Sequence, residues 1–211
     1  MKGKEMKVTK FLSGPLAVNC YVASDEATKK AFIVDPGGHN KDMVNYIKEN
    51  GFEIEYIILT HGHGDHIGGV PACRKEYPKA KLVACIHEKP MLEDPYLNMS
   101  TLTGGESVSL SVDHYVSDGD TMKVGEMELK FLHTPGHTPG GMCILVGNIL
   151  FSGDTLFQQS IGRTDFQGSS FAAIQDSIRS KLYTLPDDTI VLPGHMGTTT
   201  IGYEKRNNPF V

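Results

Sequence analysis

The segment 60–66, Thr-His-Gly-His-Gly-Asp-His, constrains this chain more than any other stretch. It follows the apolar run 56–59 and holds three of the nine histidines of the chain. If the backbone remains extended after that run, His61 and His63 point to the same side, as joint binding of one metal ion requires. The two glycines permit a sharp turn, which brings Asp65 and His66 to a neighbouring point. So many ligands within one turn predict two metal ions, which lie about 3.5–4 Å apart in two-metal sites.

Three further positions share one pattern, in which a glycine at or just after an apolar run is followed by a ligand-type residue. They are His137 in Thr-Pro-Gly-His-Thr-Pro-Gly, Asp154 in Ser-Gly-Asp-Thr and His195 in Pro-Gly-His. Strand ends along one edge of a layered sheet are where α/β folds gather functional side chains. Each position alone is equally compatible with a turn residue. Together with the segment 60–66, they predict a metal site.

The remaining polar residues are less specific indicators of a role in the metal site. Asp35, before Pro-Gly-Gly, is expected to be structural or to support a ligand from behind. Arg163 and Asp165 follow Asp154 closely enough to line its cleft, and the alternative is a surface ion pair. The other histidines are expected to be surface, capping or ordinary polar residues: His39, His87, His114 and His133.

The composition excludes several classes of protein. The 211 residues carry a net charge of −5, so the basic footprint of a nucleic-acid-binding protein is absent from the whole-chain balance. No apolar run approaches the roughly 18 residues of a membrane span, and no apolar segment follows the N-terminal lysines as in a signal peptide. The four cysteines form no Cys-x-x-Cys pair and are expected to be reduced thiols. We therefore expect one cytoplasmic domain over residues 1–211, without a membrane or nucleic-acid partner.

The periodicity of the chain predicts alternating strands and helices and therefore an α/β layered fold. A helix over 41–50 is expected from Asn40 as its N-cap and Gly51 as its end. Another is expected from Ser169 or Ser170 to about Leu182, and a short one over 69–77. The polar stretch 93–117 is expected to be a long loop over a site. Strands are expected over 21–22, 31–34, 56–59, 81–86, 121–124, 127–132, 143–146, 148–151 and 189–192.

These motifs resemble the metallo-β-lactamase superfamily over nearly the whole chain, and within it the glyoxalase II-like (hydroxyacylglutathione hydrolase-like) group. The similar segments are 60–66, 134–140, Gly-Asp-Thr-Leu-Phe at 153–157, and the stretches 160–166 and 202–210. The resemblance implies a four-layer αβ/βα sandwich with the metal site at one edge between two sheets. It implies that one metal ion binds His61, His63 and His137. It also implies a second ion on Asp65, His66 and His195, with Asp154 bridging the two.

The resemblance further implies a metal-dependent hydrolase of a thioester or related ester. A hydroxide that bridges the two metal ions would attack the carbonyl, with Asp65 as both ligand and proton acceptor. Zinc is the expected metal, and the donor set also suits iron or manganese. The chain resembles the compact members of the group, which lack the C-terminal helical extension, and it has Gly197 where the group has a tyrosine. Both differences argue against S-lactoylglutathione as the physiological substrate.

The substrate is expected to be a small anionic molecule. Three cations are candidates for attracting its anionic tail: Arg163, Lys205 and Arg206. The alternative function is a persulfide dioxygenase of the same superfamily with one iron on His61, His137 and Asp154. An RNA-processing nuclease and a lactamase are less favoured.

Overall fold

Two six-stranded β-sheets form the centre of the fold. The computed structural model describes residues 6–102 and 106–211. The first sheet has the order β1-β2-β3-β4-β5-β6 and the second the order β14-β13-β10-β9-β8-β7. The strands of the first sheet are β1 (Met6–Ser13), β2 (Val18–Asp25), β3 (Lys30–Val34), β4 (Glu53–Ile58), β5 (Lys81–Cys85) and β6 (His114–Val116). Those of the second are β7 (Thr121–Val124), β8 (Met127–His133), β9 (Met142–Val146), β10 (Ile149–Gly153), β13 (Ile190–Pro193) and β14 (Thr199–Thr200).

Short helices cover the outer face of each sheet. On the first sheet these include α1 (Lys41–Asn50) and α3 (Val70–Glu76), and on the second α5 (Phe171–Ser177), which continues into a π-helical turn (Ile178–Leu182). The other helical elements are α2 (Gly64–Ile67), a 3₁₀ turn (Ile86–Glu88), α4 (Lys89–Glu93) and α6 (Ile201–Asn207). β11 (Leu156–Phe157) and β12 (Ser160–Ile161) form a separate two-stranded ribbon beside the second sheet.

Alternating side chains of each central strand enter different cores. In β3, Ala31 and Ile33 pack towards the helices of the first sheet, whereas Phe32 and Val34 pack between the two sheets. Because both faces are covered, these strands are continuously apolar and not alternately polar. Phe131 and Phe151 of the second sheet occupy the same central core. The result is the predicted αβ/βα sandwich of four layers.

The strand directions bring three chain segments of the second sheet to one edge of the sandwich. In the second sheet, β10 pairs in parallel with β13 and antiparallel with β9, which is itself antiparallel to β8. Strands β8, β10 and β13 therefore end at the same edge. The candidate ligands His137, Asp154 and His195 follow these three ends.

Two predicted helices are confirmed together with the capping residues that predicted them. The side chain of Asn40 caps α1 through the amide of Met43, and Gly51 ends it in a left-handed conformation. Ser170 caps α5 in the same way. On this segment Ile174, Ile178 and Leu182 are buried, whereas Phe171 at its first turn is 47% exposed.

The polar stretch 93–117 differs from a simple loop. It contains β6, and Val108 and Leu110 are buried in the core under the first sheet. Positions 103–105 of this stretch lie outside the described residues. Strand β1, which pairs with β2, was not predicted, because its lysines interrupt the apolar run that would mark it as a strand.

Candidate metal centre

Three histidine side chains converge where β4 and β8 end. His61 and His63 follow β4, and His137 follows β8. One ring nitrogen from each lies within 4.8 Å of the others, and all three residues are buried. Nδ1 of His63 is 2.9 Å from Nε2 of His137. Imidazoles gathered in this way are a donor set typical of zinc and other transition-metal ions.

A second group lies beside the first. Asp65 and His66 belong to α2, and His195 follows β13. One ligand atom from each lies within 4.8 Å of the others. Oδ2 of Asp65 is 3.2 Å from Nε2 of His195 and 3.7 Å from Nε2 of His66. This group combines nitrogen with oxygen donors.

Asp154 lies between the two groups. Its Oδ1 atom is 3.4 Å from Nε2 of His66. Its Oδ2 atom is 3.6 Å from Nε2 of His137 and 3.7 Å from Nε2 of His195. The structure thus brings all the sequence-predicted ligands together, with one carboxylate facing both groups.

Asp35 supports this cluster from behind. Its Oδ1 atom accepts a hydrogen bond from the Thr60 amide at 2.8 Å, and its Oδ2 atom accepts one from the Thr60 hydroxyl at 2.5 Å. The same Oδ2 atom is 3.0 Å from Nδ1 of His66, and the Thr60 hydroxyl is 3.1 Å from Nδ1 of His61. Asp35, His61 and His66 also form a group of potential ligands. Since both oxygens of Asp35 are already engaged, its role is to orient the two imidazoles.

Three potential ligand atoms of the cluster are left without hydrogen-bond partners. Nε2 of His61, Nε2 of His66 and Oδ1 of Asp154 are buried and have no hydrogen-bond partner. The Nδ1 atom of His137 is engaged by the Arg163 carbonyl at 2.8 Å, so its Nε2 atom is the one turned to the cluster. Buried polar atoms are rarely left unsatisfied. The donor set therefore fits bound divalent cations.

The electrostatics of the cluster also suit cations. Burial lowers the pKa of His63 to about 3, so its imidazole is neutral at pH 7. Burial would raise the pKa of Asp154, but His66 and other nearby histidines hold it well below its usual range. Burial would lower the pKa of His66, but Asp154, Asp65 and Asp35 raise it well above its usual range. The neutral imidazole of His63 and the ionised carboxylate of Asp154 are in the protonation states that metal ligands require, whereas His66 is protonated here and would release its proton when a cation binds.

Steric crowding requires a glycine, Gly194, before His195. A Cβ atom on Gly194 would collide with Oδ1 of Asp154 and lie 2.6 Å from Cε1 of His66. Any side chain here would enter the ligand cluster. This is the physical reason why a glycine precedes the ligand at this strand end.

Glu88 was missed by the sequence analysis, although it connects the two loops of the first group. Its carboxylate is buried and accepts hydrogen bonds from the amide of Gly62 at 2.8 Å and the amide of Gly140 at 2.6 Å. Gly62 lies between His61 and His63, and Gly140 follows His137 by three residues. Burial raises the pKa of Glu88. No local motif marks it, because its partners are distant in the sequence.

The stretch 93–117 packs against the other half of the histidine segment. The Gly64 amide donates to the Asn98 carbonyl at 2.6 Å, and a Cβ atom on Gly64 would lie 2.5 Å from Cα of Ser100. Both Asn98 and Ser100 are buried. This stretch therefore holds the start of α2 in place.

A cavity of about 580 Å³ opens onto the ligands. Arg163 lines it, as predicted, and also forms the alternative surface ion pair. Its guanidinium contacts Asp165 at 2.9 Å and 2.7 Å and lies 4.4 Å from the centre of the Phe166 ring. The charge of Arg163 is thus partly neutralised at the cavity wall.

The structure does not support a substrate-binding role for Lys205 and Arg206. Lys205 contacts Asp187 at 2.7 Å and Arg206 contacts it at 3.4 Å, and neither lines the cavity. Both belong to α6, where they pair with this acidic neighbour instead of facing the ligands. The prediction that they attract an anionic substrate tail is corrected accordingly.

The other residues singled out by sequence lie outside the cluster. His39, His87 and His114 are exposed, and His133 is half-buried and stacks on His87 with 4.7 Å between ring centres. The four cysteines are free and buried, as predicted. Among residues 6–102 and 106–211, no helix has the length and apolarity to cross a membrane.

The sandwich and the clustered ligands define a class of metal-binding α/β proteins. Residues 13–195 match the family model of the metallo-β-lactamase superfamily. The chain belongs to this superfamily. It is 38% identical to the probable metallo-hydrolase YqgX of Bacillus subtilis, covering 98% of both chains. It is 36% identical to the hydroxyacylglutathione hydrolase GloC of Haemophilus influenzae, covering 92% of both chains.

Solved structures show the same fold. The BLEG-1 B3 metallo-β-lactamase is 38% identical with a TM-score of 0.89, covering 97% of this chain and 99% of that one. ETHE1 from Myxococcus xanthus is 31% identical with a TM-score of 0.80, covering 97% and 84%. TTHA1623, solved in a di-iron-bound form, is 30% identical with a TM-score of 0.84, covering 96% and 100%.

Proposed function

We propose that this protein hydrolyses a thioester or a related ester with two bound divalent metal ions, most simply zinc. His61, His63 and His137 would hold one ion, and Asp65, His66 and His195 the other. Asp154 would bind both. The similarity to a hydroxyacylglutathione hydrolase supports a thioester substrate, and the di-iron relative leaves iron as an alternative metal.

One observation carries the proposal. The carboxylate of Asp154 has Oδ1 beside His66 and Oδ2 beside His137 and His195. A carboxylate whose two oxygens together face both ligand groups is suited to binding a pair of cations. A site for a single cation would use the ligands of only one of the two groups.

The residues around the ions have separate tasks. Divalent cations, when bound, lower the pKa of a water molecule to near neutrality and polarise a carbonyl oxygen. Asp65 lies at the cavity, ionised at neutral pH, because His66 and His195 offset the effect of burial and hold its pKa below the usual value. Its carboxylate is placed to take up the proton that the attacking water loses. Phe166, which packs against His63 with 5.2 Å between ring centres, shields that side of the ligands from water.

Replacing Asp65 by Ala tests the proposal. We expect bound metal to fall from two equivalents to about one, and thioester turnover to fall at least a hundredfold. The exposed Asp187, which pairs with Lys205 away from the cavity, provides the matched Asp187→Ala control. Unchanged metal content and rate in Asp65→Ala would exclude the two-metal site.

Two other activities of the superfamily give different results in the same assay. A persulfide dioxygenase, suggested by the similarity to ETHE1, would need one iron on His61, His137 and Asp154 and would consume oxygen. The second group of ligands weighs against it. β-Lactam hydrolysis, suggested by the similarity to BLEG-1, is tested by adding a β-lactam to the substrate panel. Thioester hydrolysis without oxygen and without β-lactam turnover is the expected result.

A further inference from the structure

The mouth of the cavity over the metal ligands carries apolar side chains, although it is open to solvent. Leu16, Leu102 and Met196 line it and are 55%, 75% and 57% exposed. The half-buried Met99 joins them. We call these four residues the apolar rim. Exposed apolar side chains that cluster at a cavity mark a binding surface, whereas single ones are ordinary.

The backbone of the rim is held in specific conformations. Met99 and Met196 have φ angles of 61° and 67°, a left-handed conformation that residues other than glycine rarely adopt. The Met196 carbonyl accepts a hydrogen bond at 3.0 Å from Nδ2 of Asn19, which also donates to the Pro193 carbonyl at 2.9 Å. Asn19 is buried in β2. The position of Met196 is therefore built into the junction between the two sheets.

The interior of the cavity continues the apolar surface towards the ligands. Phe157 and Ile161 are buried residues of the ribbon β11–β12 that line it, with the Phe157 ring 6.2 Å from that of His195. An apolar path thus leads from the rim to the side chains that would hold the metal ions. A volume of about 580 Å³ lies within the usual range for small-molecule sites.

The charges around the cavity do not suit a substrate with several carboxylates. Arg163 is the one Lys or Arg side chain among its described lining residues, and Asp165 pairs with it in two contacts. Because Asp165 offsets the charge of Arg163, the pair carries little net charge with which to attract an anionic tail. Lys205 and Arg206 are paired elsewhere.

We propose that the apolar rim binds the hydrocarbon part of the acyl group, and that the enzyme prefers thioesters of apolar acyl chains over hydroxyacyl thioesters of glutathione. This inference rests on the proposed hydrolase function. It identifies the chemical class of the acyl group, which the ligand cluster leaves open.

Thioesters of one small neutral thiol, N-acetylcysteamine, test the preference in the metal-loaded protein. With acyl chains from acetyl to octanoyl, kcat/KM should rise about fourfold per added methylene until the cavity is filled. The rise should come through KM, because the chain contributes binding and not chemistry. Leu102→Ser should flatten this slope. The control variant Leu12→Ser changes another exposed leucine, which lies in β1 and does not line the cavity, and it should retain the slope.

A second measurement separates failure of this inference from failure of the proposed function. Acyl amides of the same chain lengths, with nitrogen in place of the thioester sulfur, report binding by calorimetry without turnover. If no thioester is hydrolysed but the amides bind more tightly with chain length, the hydrolase proposal fails and the apolar preference stands. Affinity and kcat/KM independent of chain length, equal flattening in Leu12→Ser, or a preference for lactoylglutathione over butanoyl-N-acetylcysteamine would overturn the inference.

Discussion

Glu88→Gln is expected to loosen the link between the two loops that carry the first group of histidines. In the native protein, one carboxylate oxygen accepts from the Gly62 amide at 2.8 Å and the other from the Gly140 amide at 2.6 Å. Glutamine has nearly the same shape but only one acceptor oxygen. In either orientation of its amide, one backbone N–H then faces an NH₂ group.

The size of the effect follows from this geometry. Losing one buried hydrogen bond to a charged acceptor costs about 1.5–3 kcal/mol. The native charge is itself disfavoured by burial, which raises the pKa of Glu88, so the net loss lies near the middle of that range, about 2 kcal/mol. For a chain of this length, this loss lowers Tm by about 4–8 °C. Because the affected loops position His61, His63 and His137, we also expect metal affinity at this group to fall about tenfold to a hundredfold.

The chain provides a matched control in Glu204. The Oε2 atom of this buried carboxylate accepts hydrogen bonds from the Gln159 amide at 2.8 Å and Nδ2 of Asn208 at 2.9 Å, and its Oε1 atom accepts one from the Thr199 hydroxyl at 2.5 Å. Glu204→Gln should lower Tm by less, because its NH₂ group can donate to the Thr199 hydroxyl while its oxygen keeps the other two hydrogen bonds, and it should leave metal affinity at the first group unchanged. Thermal melting of metal-free protein and competition against a chromophoric zinc chelator measure the two quantities. Equal loss of affinity in both variants, or native affinity in Glu88→Gln, would refute the positioning role of Glu88.

Two further predictions concern other parts of the structure. In Gly194→Ala the new Cβ atom would meet Asp154 and His66, so bound metal measured by elemental analysis should fall by at least one equivalent. Gly197→Ala, which meets one flexible side chain at 3.1 Å, should keep full metal content, and equal content in both variants would contradict this. Burial would raise the pKa of Asp25, but the hydrogen bonds that it accepts hold it below its usual value. Ionised Asp25 therefore adds stability above about pH 4 that is lost as the pH falls further. In urea unfolding, the stability difference between the native protein and Asp25→Asn should shrink below about pH 4, and a constant difference from pH 7 to pH 3 would contradict this.

Local signals were sufficient for elements whose ends and faces are set by nearby residues. Asn40 and Gly51 mark both ends of α1 within the helix sequence itself. The strand-glycine-ligand pattern at Gly194 was recognisable because close approach of the backbone to the ligands excludes every larger residue. A helix is recognised in a sequence by apolar residues that recur over several turns. This pattern is absent from α2, which has only four residues. It forms because Asp65 and His66 lie on a segment whose first amide is held by the distant Asn98.

Long-range contacts account for what the sequence did not reveal. Glu88 is separated by 26 residues from Gly62 and by 52 from Gly140, so no spacing rule identifies it. Lys205 and Arg206 were expected at the substrate because of their charge, but the fold supplies Asp187 as their partner. Charge alone does not determine which surface a side chain faces.

In the proposed function, two divalent ions held by the two groups of ligands carry out hydrolysis. The most direct measurement is thioester turnover by metal-stripped protein without oxygen, as zinc is added in fractions of an equivalent. We predict no turnover in the stripped protein and a rise that saturates at two equivalents. Saturation at one equivalent, or turnover that requires iron and oxygen, would contradict the account.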